Sequence, residues 1–303
     1  MSHTSASAGP VAIGGVGGSG TRVIAAIVES LGFDPGGNLN EALDERTFIA
    51  VFKRPDVYWG ERGLIRADHP AAVAATRLYV SVRSGGRRPM ADVVPMIRAS
   101  ITLPSNTPSS GRSLGVASMS LRLRRLGRLP TVFRRRPPDA GPWMWKDPNT
   151  QIFLPTLFAQ IPGFRYIHMV RDGLAMATSS NRLQLNNWGY LFDIGRDGRD
   201  GEVRQLLYWA RANLAVADLL ADQPRSLIVS HEHAIADPDA VAEEISSFLD
   251  APPTDATRRV IDEVQAPADA GRTFTIPDGV LSPDELADVR RALDRFGYGG
   301  GPG

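Results

Sequence analysis

The segment Gly15-Val16-Gly17-Gly18-Ser19-Gly20 constrains this chain more than any other. Before it, Val11-Ala12-Ile13 reads as a buried strand entering a tight turn. After it, Val23, Ile24, Ile27, Val28 and Leu31 recur at helical spacing, and Gly32 stops the helix. Strand, glycine loop and helix in that order turn backbone N–H groups and the positive end of a helix toward an anion. Further units follow. Trp143-Met144-Trp145 predicts a short strand leading into Lys146-Asp147-Pro148. Phe164 to Val170 predicts a strand running into Arg171-Asp172-Gly173 and a helix near 174–182. Helices are expected over 202–220, over 238–249 with Asp237 as N-cap, and from the capping box Ser282-Pro283-Asp284-Glu285 to Phe296. Ser226-Leu227-Ile228-Val229 predicts one more buried strand. Strands alternating with helices predict an α/β fold, a mostly parallel sheet covered on both faces in three α/β/α layers. Ligands of such folds sit at the carboxyl ends of the strands. Gly14–Arg22, Lys146-Asp147-Pro148 and the segment from Arg171 onward all lie there.

Several classes are excluded by what the chain lacks. It has no cysteine, hence no disulfide, thiolate metal site or cysteine nucleophile. Its longest aliphatic run, Val23 to Val28, cannot span a bilayer. Residues 1–9 show no secretory pattern and read as a flexible start, so a cytoplasmic location is expected. The net charge of +1 is not that of a polycation built for nucleic acid. The balance conceals a bias: between Val93 and Pro138 there are nine arginines and no acid, so that stretch carries +9 and the remainder −8. Residues 66–140, with irregular periodicity and Gly, Pro and Ser clusters, are expected to form an inserted, partly helical Arg-rich lid, with a basic amphipathic helix over 119–129. That lid would cover an anionic or sugar acceptor, meet an anionic membrane as a peripheral contact at its inner face, or remain a solvated loop. No aromatics interleave the arginines between Val94 and Leu129, which argues against nucleic acid. The rest reads as a single domain over 1–303.

The glycine loop has three readings. As a literal G-x-G-x-x-G it invites a dinucleotide, but the acid expected to end a second strand falls in the turn Gly32-Phe33-Asp34-Pro35-Gly36-Gly37. As a nucleoside triphosphate loop it lacks the G-K-[ST] lysine, since no lysine precedes Lys53. The third reading uses Ser19-Gly20-Thr21-Arg22. With the preceding strand and glycines it resembles the 5′-phosphosulfate loop of sulfotransferases that use 3′-phosphoadenosine 5′-phosphosulfate (PAPS), a P-loop-like fold. The usual form carries Arg or Lys before Ser-Gly-Thr; here Gly18 stands in that place and Arg22 follows. A second resemblance is the strand ending in Arg171 with Ser179 eight residues on, the family's pair for the 3′-phosphate. Ser230-His231-Glu232-His233 to Asp237-Pro238 and Gly271-Arg272 resemble two further family segments, with His231 in place of Tyr.

The resemblance implies roles. Gly17, Gly18, Ser19, Gly20, Thr21 and Arg22 would hold the 5′-phosphate; Arg171 and Ser179, with Arg272, would hold the 3′-phosphate. Arg22, Lys146 in Trp-Lys-Asp-Pro, or Lys53 would neutralise the leaving phosphate. Glu41, past the first helix and a Gly-rich turn, would be the base, with Asp44 the near alternative. It implies sulfuryl transfer from PAPS to a hydroxyl or amine of a carbohydrate, lipid or small metabolite, with adenosine 3′,5′-bisphosphate as product and no metal required. His231 and His233 alternate on an expected strand, but two ligands do not make a metal site. Trp209 and Asn213 are expected to be packing and surface. The rival readings are a P-loop kinase-like phosphotransferase using ATP and Mg²⁺, and an inactive anion- or lipid-binding module.

Overall fold

The computed structural model describes residues 9–102, 127, 132–133, 141–195, 198–264 and 272–299. Strands β1 (Val11–Gly15), β2 (Met144–Lys146), β3 (Arg165–Val170) and β4 (Ser226–Ser230) form one parallel sheet in the order β2-β1-β3-β4. The helices are α1 (Thr21–Ser30), α2 (Arg46–Phe52), α3 (Pro55–Tyr58), α4 (Pro70–Arg83), α5 (Met90–Thr102), α6 (Leu154–Gln160) and α7 (Gly173–Ala177). They continue with α8 (Leu183–Trp188), α9 (Gly201–Leu220), α10 (His231–Ala236), α11 (Pro238–Leu249), α12 (Asp255–Asp262) and α13 (Pro283–Arg295).

The alternation of side chains along the strands makes the two cores. Val11, Ile13, Met144, Ile167 and Met169 point to one face and pack with Ile24, Ile27 and Val28 of α1 and Val241, Ile245 and Leu249 of α11. Ala12, Trp145, Tyr166 and Val170 point to the other and meet α2, α4, α6 and α9. Each strand of the central pair is buried throughout because helices cover both faces. The connection from β1 leads to β2 on one side, and that from β3 to β4 on the other. The switch point, where α/β sheets bind ligands, is thus the crevice between the carboxyl ends of β1 and β3.

Three expectations are corrected, on β4, on the helix after Arg171 and on His231 and His233. Within the stretch 66–140, α4 and α5 pack into the core, with Leu78, Tyr79, Val93 and Met96 buried. Most of 103–140, including the expected basic helix, lies outside the described residues. β4 is an edge strand in which only Val229 is buried. The helix after Arg171 stops at Ala177, because Thr178 Oγ1 turns back to Ala175 O (2.9 Å) and Ser179 Oγ accepts from Asn181 N (3.2 Å). His231 and His233 are on a helix, since Ser230 ends β4 and caps α10 through His233 N.

Candidate active site

The glycine loop owes its path to three glycines. A Cβ at Gly15 would stand 2.3 Å from Met169 O, so β1 and β3 close together only without one. Gly18 has φ +103° and Gly20, the N-cap of α1, φ +85°. The family's basic residue before Ser-Gly-Thr is therefore replaced at a position whose backbone disfavours any side chain. A Cβ at Gly20 would lie 2.3 Å from Nδ1 of His231, so that buried imidazole packs directly on the helix N-terminus.

The loop's donors divide into committed and open ones. Gly17 N donates to Gln184 Oε1 (2.8 Å), and Gln184 Nε2 donates to Gly15 O (3.2 Å). A buried glutamine of α8 thus clamps the loop from both sides. Ser19 N and Oγ both donate to Val16 O, at 3.1 and 2.5 Å. The Gly17 amide and the Ser19 hydroxyl, expected to reach a phosphate, are turned inward instead. Among the described residues, no bond within the chain engages the amides of Gly18, Gly20, Thr21 and Arg22. They crown α1 at its positive end. The Arg22 side chain is exposed on the first turn.

Arg171 and Ser179 reach the same place from β3. Arg171, 7% exposed, donates from Nη1 to Gly18 O (3.4 Å), while its own carbonyl accepts from Trp209 Nε1 (2.9 Å). Ser179 Oγ would be 3.5 Å from a Cβ on Gly18. The guanidinium and the hydroxyl therefore flank one loop residue. Arg272 is exposed; two residues on, Phe274 N donates to Leu174 O of α7 (3.1 Å).

The other wall of the site comes from β2. Lys146 is 4% exposed, and its Nζ donates to Asp44 Oδ1 (2.6 Å) and Ala42 O (2.9 Å). Asn40 fixes that turn: its Oδ1 accepts from Ala42 N and Asp44 N, and its Nδ2 donates to Asp44 Oδ2 (3.0 Å). Leu43 takes φ +62° inside it, an uncommon conformation for a branched side chain. Of the two candidate bases, Asp44 is thus engaged by Lys146, while Glu41 at the outer end of the turn is exposed. Lys53 caps α2, with its Nζ 5.8 Å from the centroid of the Trp188 ring.

Next to Lys146, Asp147 is wholly buried. Burial first, then the Asp44 carboxylate, raises its carboxyl to about 7, against the pull of the Asn149 bonds and Lys53. Asp147 escaped the sequence reading as a functional group, although Asp before Pro148 is a visible capping signal. Gln184 gave no signal at all, since its role depends on a contact far away in sequence. Below the crevice, Tyr166 OH meets His168 Nδ1 (3.0 Å) and His168 Nε2 meets Asn213 Oδ1 (2.9 Å). Burial lowers this histidine to about 4, so it is neutral, accepting from tyrosine and donating to asparagine. Asn213 is therefore a buried partner rather than the expected surface residue; Trp209 packs as expected. Glu232 accepts from Asp172 N, Ser230 Oγ and Tyr298 OH, tying the ends of β3 and β4 to the residues after α13.

A parallel sheet with an anion-facing glycine loop at its switch point defines an α/β protein of the P-loop-like class. Within that class the chain belongs to the sulfotransferase family, whose pattern it matches over residues 10–255. Among solved structures, the sulfotransferase domain of the Synechococcus PCC 7002 olefin synthase is 16% identical (TM-score 0.48), covering 96% of this chain and 96% of that one. The sulfotransferase domain from the curacin biosynthetic pathway is 13% identical (TM-score 0.47), with 96% and 98% covered. Sulfotransferase STF1 from Mycobacterium tuberculosis is 13% identical (TM-score 0.42), with 96% and 77% covered. No curated protein sequence matches the chain. Among the described residues no helix is long and apolar enough to cross a membrane.

Proposed function

We propose that this member of the family transfers a sulfuryl group from PAPS to a hydroxyl or amine of a carbohydrate, lipid or small-metabolite acceptor. The observation that carries this is the meeting of Arg171 and Ser179 with the open amides of the glycine loop at Gly18. An anion held there has backbone donors on one side and a guanidinium fork on the other. In this reading the amides of Gly18, Gly20, Thr21 and Arg22 hold the 5′-phosphosulfate, and Arg171 and Ser179 hold the 3′-phosphate, with Arg272 nearby. The acceptor oxygen forms its bond to sulfur as the bond from sulfur to the bridging oxygen breaks. The acceptor proton passes to Glu41, which, unlike Asp44, is not held by Lys146. The bridging oxygen leaves with the electron pair, and Lys146 and Arg22 stabilise its charge. Lys53, which acts on the buried Asp147, would be a further cation. The Arg-rich stretch between 93 and 138 would meet an anionic acceptor or an anionic lipid surface.

The test is an assay with PAPS labelled in its sulfuryl group against a panel of sugars, lipids and amines, without added metal. Labelled acceptor with stoichiometric adenosine 3′,5′-bisphosphate is the expected outcome. No labelled product, together with turnover of ATP and Mg²⁺, would overturn the reading.

A further inference from the structure

Lys53 and Lys146 are the two lysines of a chain that otherwise uses arginine. Both are tied to one buried carboxyl, that of Asp147: Lys53 acts on it directly and Lys146 through Asp44. Lys146 precedes it on β2 and is held by Asp44. Lys53 reaches it from α2: its Nζ lies over Trp188, whose Nε1 donates to Asn149 Oδ1 (2.7 Å). Asn149 in turn donates its N and Nδ2 to Asp147 Oδ1, both at 2.7 Å. The second oxygen, Oδ2, is buried and has no hydrogen-bond partner. Asp147 N is bonded to Ile13 O (3.1 Å), which fixes the residue beside the strand that becomes the glycine loop. The groups facing the carboxyl are Asp44 from the turn before α2, Lys53 from α2 and Tyr79 from α4; Lys146, its neighbour on the strand, is coupled to it through Asp44. Glu45, next to Asp44, has both oxygens on the α2 amides of Thr47 and Phe48.

We infer that Asp147 is a positioning residue whose proton sets how much positive charge the two lysines offer to an anionic donor. With Asp147 ionised, two carboxylates balance two ammonium groups. With a proton from solvent on Oδ2, one positive charge is in excess. Lys146 can then exchange Asp44 for a phosphosulfate oxygen without leaving two carboxylates facing each other. Such a switch suits an ammonium, a compact charge on a flexible stem, better than a guanidinium fork. This rests on the reading that the donor's phosphosulfate enters beside β1. Burial and Asp44 place the carboxyl near neutrality, so donor binding takes up a proton there. The affinity then falls as pH rises through about 7, approaching about tenfold per pH unit above it.

The experiment is calorimetric titration of the full chain with PAPS, without acceptor, from about pH 6 to about pH 8.5, in buffers of low and high ionisation enthalpy. Wild type, Asp147→Asn and Lys53→Met are compared. The phosphate of the ligand titrates alike in all three and cancels. Wild type is expected to take up as much as about one more proton than Asp147→Asn and to lose about fivefold more affinity between about pH 7 and about pH 8. Lys53→Met is expected to move the break upward, since it removes a charge that favours ionised Asp147. Equal proton uptake and equal pH slopes in wild type and Asp147→Asn overturn the inference while the donor reading stands. If Asp147→Asn does not fold, an unmoved break in Lys53→Met overturns it. No PAPS binding by wild type at any pH overturns the donor reading and this inference together.

Discussion

The two walls of the crevice are built on opposite principles. On the β1/β3 side the donors are backbone amides at a helix N-terminus and one nearly buried guanidinium, all fixed before any ligand arrives. On the β1/β2 side the charges are side chains that answer one another: Lys146 on Asp44, and Asp147 between Asp44 and Lys53. A preorganised wall binds without rearrangement and keeps its field at every pH where arginine is charged. A self-neutralised wall must exchange partners when an anion enters, and its strength depends on protons. The first suits recognition, and the second suits stabilising charge that develops only during transfer.

Substitutions can break this contrast. Glu41→Gln should lower turnover about 10²–10⁴-fold while leaving the affinity for adenosine 3′,5′-bisphosphate unchanged, as read by steady-state kinetics and calorimetry. An active Glu41→Gln would move the base elsewhere. Lys146→Met should lower kcat about 10²–10³-fold with a much smaller effect on the bisphosphate. Equal losses in both would mean that the two walls do not divide binding from chemistry.

Smaller effects sharpen the contrast under the preorganised wall. His168 is neutral in the fold and near 4, below its unfolded value, so acid protonates the unfolded chain first. Stability present above about pH 6.5 should be lost as pH falls toward 4, by about 3 kcal/mol in all. Denaturant melts of wild type and His168→Gln should differ in slope over that window, and parallel slopes would contradict the assignment. Gln184→Leu should cost about 1–3 kcal/mol by leaving Gly17 N unsatisfied, and should weaken bisphosphate binding by loosening the loop. Unchanged melting with unchanged affinity would show that the clamp is not needed.

The preorganised wall was legible in the sequence as a local pattern; of the other wall Glu41, Asp44, Lys53 and Lys146 were legible as candidates, and their pairing around Asp147 was not. Strand, glycine loop, helix and the Arg171–Ser179 spacing are local patterns, and local patterns survive without knowledge of partners. Even there, contacts redirected two groups: the Gly17 amide to Gln184, and the Ser19 hydroxyl to Val16 O. Asp147 was hidden because its chemistry comes from burial and from Asp44 and Lys53, each brought by a different element. Asn213, on α9, was misplaced because its partner His168 lies on β3, a distant element in sequence. The helix ending at Ala177 came up short because Thr178 and Ser179 bond locally, a competition that apolar periodicity does not record.

The central claim is that the preorganised wall reads a 3′-phosphate through Arg171. Calorimetry of adenosine 3′,5′-bisphosphate, AMP and ATP, without added metal, on wild type and Arg171→Ala tests it most directly. The account predicts that wild type prefers the bisphosphate and that Arg171→Ala loses that preference by about 10–100-fold. Equal binding of AMP and the bisphosphate, or tighter binding of ATP that requires Mg²⁺, would contradict it.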